Sequence, residues 1–128
     1  MFNPRYAALA LSIALSVPAH AVTEVKFTPA AFAKAQAEGK PVLIDVAAWW
    51  CPVCLSQNRT IKRITANPAY NKLTIFKINY DSQKPEWQSL GVAKQGTLIG
   101  FIGKREVARV AFETDEAKIG GLLSAIVN

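Results

Sequence analysis

The chain has 128 residues, of which 51% are hydrophobic and 19% are charged, and its formal net charge is +6. A chain of this length and composition makes one domain of ordinary size with a hydrophobic core of its own. Apart from Arg5, its basic residues are spread from Lys26 to Lys118 instead of forming one run, so the charge does not support nucleic-acid binding.

The start of the chain has the order of a secretory signal peptide. Arg5 precedes an apolar run from Tyr6 to Val17, and Ala19-His20-Ala21 follows as a cleavage site of the Ala-x-Ala type. The apolar run is shorter than the roughly 20 residues that cross a bilayer, which disfavours an uncleaved anchor. We therefore expect residues 1–21 to be a leader that is cleaved after Ala21.

The mature domain, residues 22–128, would lose the only histidine, His20, together with the leader. Its net charge would be +5, because the leader removes one of the 15 basic residues and none of the 9 acidic ones. Without a histidine, mechanisms that need an imidazole base or ligand are closed to this domain. Thiols and carboxylates would have to carry any acid–base chemistry.

A short strand around Val25–Phe27 and a helix from Thr28 to Glu38 open the mature domain. The helix has an N-cap threonine, a proline at its first position and a glycine after its end. Val42–Ala47 follows as a continuous apolar run, which is typical of a central strand covered on both faces. Asp45 interrupts this run, and because an ionised carboxylate is costly to bury, we expect it to be protonated, hydrated or paired.

Cys51 and Cys54, the only two cysteines, stand at the start of the next predicted helix, which ends at Asn67-Pro68. Its apolar positions recur at helical spacing: Leu55, Ile61 and Ile64. Side chains three apart in a first helical turn have Cβ atoms about 5–6 Å apart, which allows a disulfide to form and break. The free N–H groups and the helix dipole favour the thiolate of Cys51, which is the predicted nucleophile.

Three other interpretations compete with redox chemistry at this pair. A structural disulfide across so short a loop would remove little entropy from the unfolded chain. A closed zinc site needs four ligands, and the two cysteines would have to be completed by a second subunit. Two inert buried thiols are the third alternative, although a helix mouth is an unusual place for thiols that serve packing alone.

The remaining elements are predicted from β-branched and aromatic runs, turn residues and helix end signals. They are a strand over Leu73–Tyr80 with Lys77 in its middle, a short helix over Pro85–Leu90, strands Thr97–Ile102 and Val107–Phe112 joined at Gly103–Glu106, and a helix from Thr114 with the buried stripe Ile119, Leu122, Leu123 and Ile126. Close packing would explain Gly120-Gly121 in this last helix. The order predicts an α/β fold with a central mixed sheet of four or five strands and helices on both faces.

Several parts of the mature sequence occur in the register of one known family. They are Trp50-Cys51-x-x-Cys54, Asp45 six residues before the first cysteine, Lys77-Ile78-Asn79-Tyr80-Asp81, and Gly91-Val92 leading into Thr97-Leu98. With them the chain resembles the thioredoxin family over essentially the whole mature sequence. Together with the leader, the resemblance points to an exported branch, similar to periplasmic thioredoxin-like and disulfide-exchange proteins.

The resemblance implies that Cys51 attacks a substrate disulfide and that Cys54 resolves the mixed disulfide. It implies that Asp45, tuned by Lys77, takes or gives the proton of the buried thiol, although the two could instead be only a satisfied buried ion pair. Trp50 matches the family's tryptophan beside the site. The expected substrates are disulfides of proteins or small molecules, and the expected redox partner is a membrane electron carrier. A monomer without a cofactor or metal is expected.

One position departs from the family pattern. Gly96, in Gln95-Gly96-Thr97, stands where the family has a cis-proline that faces the cysteines. A cis bond without proline costs about 2.5–4 kcal/mol, so we expect a trans bond here. Gly96 and Thr97 belong to the loop that the family uses to bind an extended substrate. Glycine also leaves space beside the sulfurs, which could admit a metal ion or cluster.

The sequence therefore predicts a periplasmic thiol–disulfide oxidoreductase. Pro52-Val53 carries neither charge nor histidine to stabilise the Cys51 thiolate further, which favours a reductant over a strong oxidant. Two alternatives remain open: a binding module that keeps the fold without turnover, and a thiol-ligated metal or cluster site shared between two subunits.

Overall fold

The computed structural model describes residue 10, residues 12–15 and residues 22–128. The predicted leader, residues 1–21, lies outside the described residues except for those few positions, and its cleavage stays a prediction. No helix in the described part of the chain is long and apolar enough to cross a membrane.

Five strands and four α-helices make up the domain, and each lies where the sequence predicts an element. The strands are β1 (Thr23–Lys26), β2 (Pro41–Ala47), β3 (Thr74–Asn79), β4 (Thr97–Ile102) and β5 (Arg105–Ala111). The helices are α1 (Pro29–Ala37), α2 (Pro52–Thr65), α3 (Lys84–Ser89) and α4 (Glu116–Val127), and one 3-10 turn, Pro68–Tyr70, follows α2. Thr28 caps α1 through its side chain, and Gly39 follows that helix with a φ of +68°, as the end signals predict.

The five strands form one mixed sheet in the order β1-β3-β2-β4-β5. β1, β3 and β2 run parallel, whereas β4 is antiparallel to β2 and β5 is antiparallel to β4. The predicted fold class, an α/β domain with a mixed sheet, is therefore confirmed, and the sheet has five strands. β2 lies at its centre, which explains the continuous apolar sequence of that strand.

Two hydrophobic clusters cover the two faces of this sheet. Helices α1 and α3 pack on one face, where Phe32 and Trp87 meet Ile44 and Phe76. Helices α2 and α4 pack on the other face, and their buried residues surround Leu43. Because alternate residues of β2 supply both clusters, α2 is held firmly against the sheet directly after β2 ends.

The connection between β4 and β5 is tighter than predicted. The predicted turn, Gly103–Glu106, is shorter in the structure, since β5 already begins at Arg105. Gly103 has a φ of +56°, a conformation that a glycine adopts without strain and that lets the chain reverse over two residues. A shift of register between Gly100 and Phe101 interrupts the β4–β5 pairing.

The prediction that close packing explains both glycines of α4 is wrong. A Cβ atom on Gly120 would make an ordinary contact of 3.6 Å with Ile64, and one on Gly121 would meet nothing within 4 Å. The close approach is instead at Gly100 in β4, where a Cβ atom would lie 2.8 Å from Ile126 of α4. The small residue that α4 needs is therefore in the strand beneath it.

Candidate active site

The two cysteines occupy the junction at which β2 gives way to α2. Cys51 has extended backbone angles and is the N-cap of α2, and Pro52 fills the first helical position. The N–H of Cys54 donates to Cys51 Sγ at 3.1 Å. The two Cα atoms are 5.2 Å apart and the sulfurs form a disulfide, as the spacing of the pair predicts. No acidic side chain stands in the first turn of α2, so no negative charge there opposes a thiolate.

The disulfide lies just below the molecular surface. Cys51 and Cys54 are 2% and 5% exposed and pack against Ala48, with Val53 and Tyr80 at the margin. Two tryptophans precede the pair, and Trp49 is 82% exposed. The apolar surroundings shield the bridge, so substrate contact must come through the small exposed rim around it.

Trp50 is held beside the bridge by two polar contacts and one aromatic contact. Its indole Nε1 donates to both carboxylate oxygens of Asp81, at 3.2 and 3.0 Å. Its ring meets Tyr80 edge to face at a centroid distance of 6.4 Å, and Tyr80 in turn stacks on Trp87. Trp50 thus lies next to the site as predicted. Asp81 is the acceptor that orients this indole, a role that its place in the motif starting at Lys77 does not by itself predict.

Asp45 forms a buried ion pair with Lys77, one of the three states expected for it. The register of β2 and β3 sets the two residues side by side, and Lys77 Nζ lies 2.5 Å from Asp45 Oδ2. Asp45 is 3% exposed, whereas about a third of the Lys77 side chain reaches solvent. Burial raises the pKa of the Asp45 carboxyl, and the opposing effect of Lys77 is smaller. The structure brings this pair together, but its predicted part in proton transfer remains untested.

A surface groove of about 610 Å³ joins Lys77 to Cys54. It lies between the ends of β1 and β3 and the start of α2, and Ala47, Trp49 and Leu55 line it as well. Leu55 was predicted on the apolar positions of α2 but is half exposed here, because its side of the first turn faces the groove and not the sheet. Solvent in this groove can therefore reach Lys77 of the ion pair and the side of the site on which Cys54 lies.

The loop before β4 lies on the Val53 side of the pair. The described residues contain no cis peptide bond, so the bond before Gly96 is trans, as expected. Gly96 has a φ of +78°, and its N–H donates to the carbonyl of Val46 at 2.7 Å. A Cβ atom on Gly96 would lie 3.5 Å from Val53. Thr97 is buried and its hydroxyl donates to the carbonyl of Lys94, so that hydroxyl is engaged within the protein. The substrate-binding roles of Gly96 and Thr97 remain predictions.

Gln57 is a residue of this region that is not among the predicted site residues. It is fully buried on α2, and its Nε2 donates to the carbonyls of Gly96 at 2.9 Å and Glu113 at 3.0 Å. A polar residue at a position three after Cys54, on the inner side of an amphipathic helix, is the signal that could have identified it.

The described residues contain no cluster of side chains that could bind a metal ion. Within residues 22–128 and the few described positions before them, no three His, Cys, Asp or Glu side chains come together.

Comparison with known proteins matches this chain to thioredoxins and to proteins that contain a thioredoxin domain. The thioredoxin family model matches residues 23–124. The thioredoxin of Mycobacterium tuberculosis is 30% identical over 104 residues, which is 80% of this chain and 89% of that protein. The bifunctional thioredoxin reductase/thioredoxin of Mycobacterium leprae is 30% identical over 106 residues, 83% of this chain but only 22% of that protein. The crystal structure of Trxlp from Edwardsiella tarda EIB202 has a TM-score of 0.74 and 42% identity, covering 79% of this chain and 97% of that one.

The raised pKa of Asp45 makes stability depend on pH. The folded chain holds this proton more tightly than the unfolded chain, so stability falls as pH rises from the unfolded pKa, about 3.9, to the raised folded value. We expect Asp45→Asn to remove this fall, because a neutral amide carries no penalty for burial of a charge and Lys77 can turn to solvent. The gain at high pH should be about 1.4 kcal/mol per unit of pKa shift. Urea unfolding from about pH 4 to about pH 8 measures it, and an unchanged slope in the variant would contradict the assignment.

Gly96→Pro should destabilise this chain although proline is what the family pattern has there. Proline cannot adopt a φ of +78°, and it removes the N–H that donates to Val46. The lost bond and the strain together should lower the free energy of unfolding by about 2–4 kcal/mol. Gly96→Ala is the matched control, because it keeps the N–H and costs only about 1–2 kcal/mol for the left-handed conformation. If the proline variant were as stable as wild type, the loop would have to be free to take another conformation.

Proposed function

The chain belongs to the thioredoxin family, and from this we propose that it is a thiol–disulfide oxidoreductase that works as a reductant in the periplasm. The observation that carries the chemistry is the disulfide between Cys51 and Cys54 at the N-cap of α2. The two sulfurs are close enough to exchange between bridge and dithiol with little movement of the backbone. The exposed rim of Trp50 and the groove beside Cys54 leave room for a substrate above them.

The reaction consumes the reduced protein and ends in the oxidised state found in the structure. The Cys51 thiolate attacks one sulfur of a substrate disulfide, a mixed disulfide forms, and the other substrate sulfur leaves as a thiolate that takes up a proton. Cys54 then loses its proton and attacks Cys51 Sγ, which releases the second substrate sulfur as a thiol. One substrate disulfide becomes two thiols, and the protein dithiol becomes the Cys51–Cys54 bridge. Asp45, through the solvent groove lined by Lys77 and Cys54, is the candidate acceptor of the Cys54 proton.

The direction follows from what surrounds the first sulfur. A strongly oxidising protein of this kind needs its reduced form stabilised, which means extra stabilisation of the Cys51 thiolate. Here Cys51 is 2% exposed among apolar groups, and Pro52-Val53 brings no charge to it. Burial of this kind disfavours a thiolate, which leaves the N–H of Cys54 and the helix dipole as its main support. Oxidation of the protein is therefore the favourable direction.

The place of action rests on the sequence of the leader. Residues 1–21 have the charge and hydropathy order of a cleaved export signal. A reductant in an oxidising compartment must receive electrons continually, so we propose a membrane electron carrier as the donor and disulfides of exported proteins or small molecules as substrates. Cell fractionation that recovers only uncleaved protein in the cytoplasm would overturn this part.

The two cysteine variants separate turnover from binding. Cys51→Ser should abolish insulin reduction, because no nucleophile remains. Cys54→Ser should also stop turnover but accumulate a mixed disulfide through Cys51, since the resolving thiol is missing. Mass spectrometry of the non-reduced protein detects this adduct. A variant Cys51→Ser that still retains clients, in a protein whose wild type shows no turnover, would favour the binding module that keeps the fold without catalysis.

The reduction potential of the pair tests the direction. We expect a value nearer to about −270 mV, the level of a reductant, than to about −120 mV, the level of a strong periplasmic oxidant. Equilibration with glutathione mixtures, followed by alkylation of free thiols, measures it, and the pKa of Cys51 from the pH dependence of alkylation should be measured on the same samples. A potential near the upper value would make the protein an oxidant. Absorbance and metal content of protein purified without oxygen would reveal the alternative thiol-bound metal or cluster.

A further inference from the structure

Gln57 is a buried amide whose presence packing alone does not explain. It has no exposed surface, its Nε2 donates to two main-chain carbonyls, and its Oε1 is buried without a hydrogen-bond partner in the described part of the chain. A buried acceptor left unpaired lowers stability, and an apolar side chain of the same length would avoid that loss. The two bonds made by Nε2 are therefore the feature to be explained.

These bonds join α2 to two segments that are distant in sequence. Gly96 directly precedes β4. Phe112 and Glu113 are the first and second residues after the end of β5. The carbonyl of Gly96 also accepts from the N–H of Phe112 at 2.9 Å. Phe112 has a φ of +57°, which is strained for a side chain of this kind and persists only where its surroundings hold it. Gln57 thus ties the entry of β4 and the exit of β5 to the helix that carries Cys54.

The segment held in this way lies against Val53, one of the two residues between the cysteines. A Cβ atom added to Gly96 would lie 3.5 Å from the side chain of Val53. A glycine has the widest conformational freedom of any residue. The hydrogen bonds of Gly96 must therefore fix the backbone conformation that a more rigid residue would hold by itself. The N–H and carbonyl of the preceding residue, Gln95, make no hydrogen bond within the described residues. They remain free for an extended peptide chain.

We propose that Gln57 is a positioning residue, which fixes the main chain of Gln95 beside the disulfide by clamping the carbonyls of Gly96 and Glu113 to α2. Its hydrogen bonds are to main-chain carbonyls and not to the sulfurs, so it acts on the docking of a protein substrate and not on exchange between sulfurs. The inference rests on the proposed function, because it concerns the same site and its protein substrates.

The test compares Gln57→Met with Gln83→Met. Met keeps the length of the side chain and removes the donors. Gln83 is the matched control for hydrogen exchange at the loop, since it is also buried and also bonds main chain at both ends of its amide, to Phe27 and Asn79, away from Gly96. Because Gln83 lines the groove beside Cys54, it is not used as the control for KM with insulin. For Gln57→Met we expect KM for insulin to rise by about three- to tenfold, the equivalent of one lost hydrogen bond, with kcat within about twofold. KM for the small disulfide dithiobis(nitrobenzoate) should not change in this variant.

Hydrogen exchange on the oxidised protein tests whether Gln57 holds the loop, and it does so without measuring enzyme turnover. The Phe112 amide, bonded to Gly96, should exchange about tenfold faster in Gln57→Met and at the wild-type rate in Gln83→Met. Unchanged exchange, or faster exchange with an unchanged KM for insulin, would overturn the proposal. If Gln57→Met does not fold, Gln57→Asn, whose amide is one methylene too short, serves instead. A wild type that fails to reduce insulin would refute the proposed function, while exchange would still decide whether Gln57 holds the loop.

Discussion

The site depends on one constraint, the abrupt change from extended to helical backbone at Cys51. β2 ends at Ala47 in the centre of the sheet, and α2 begins at Pro52 against the face formed by the same strand. The chain must turn within those few residues. The turn is held by the Cys51 N–H, which donates to the carbonyl of Ala48. The first sulfur therefore occupies the N-cap, where the free N–H groups of the helix point. Both cysteines stand at the first turn of a helix that packs on the sheet directly after its central strand, so the bridge can open and close on a rigid frame.

Two buried polar side chains near this junction, Asp45 and Gln57, lower the stability of the fold. Asp45 is buried in the central strand of the sheet, and Gln57 is buried in the helix that follows. Burial raises the pKa of the Asp45 carboxyl in spite of Lys77, and Gln57 leaves one acceptor unpaired. Natural sequences accept such local losses mainly where function requires them. Both residues lie within one helical turn or one strand length of the sulfurs.

The loop at Gly96 shows how hydrogen bonds replace a constraint of covalent geometry. Where the family pattern has a rigid proline, this chain has the most flexible residue, and its N–H and carbonyl together take part in three hydrogen bonds. The partners come from β2, from the end of β5 and from α2. Such a loop is ordered by its neighbours and not by its own residues. Substitutions at a distance, in α2 or after β5, can therefore alter the conformation of the loop beside Val53.

The sequence by itself determined the elements and the chemistry of the pair, because the signals for both are local. Thr28, Pro29 and Gly39 mark the ends of α1 within a few residues, and the spacing of Cys51 and Cys54 within one turn already allows a disulfide. Tertiary structure alone decided the rest. Asp45 meets Lys77, 32 positions away, only through the register of two neighbouring strands, and Gln57 meets Gly96 and Glu113 across 39 and 56 positions. Likewise, the exposure of Leu55 and the space above Gly121 depend on which surfaces pack together, and no local pattern encodes that.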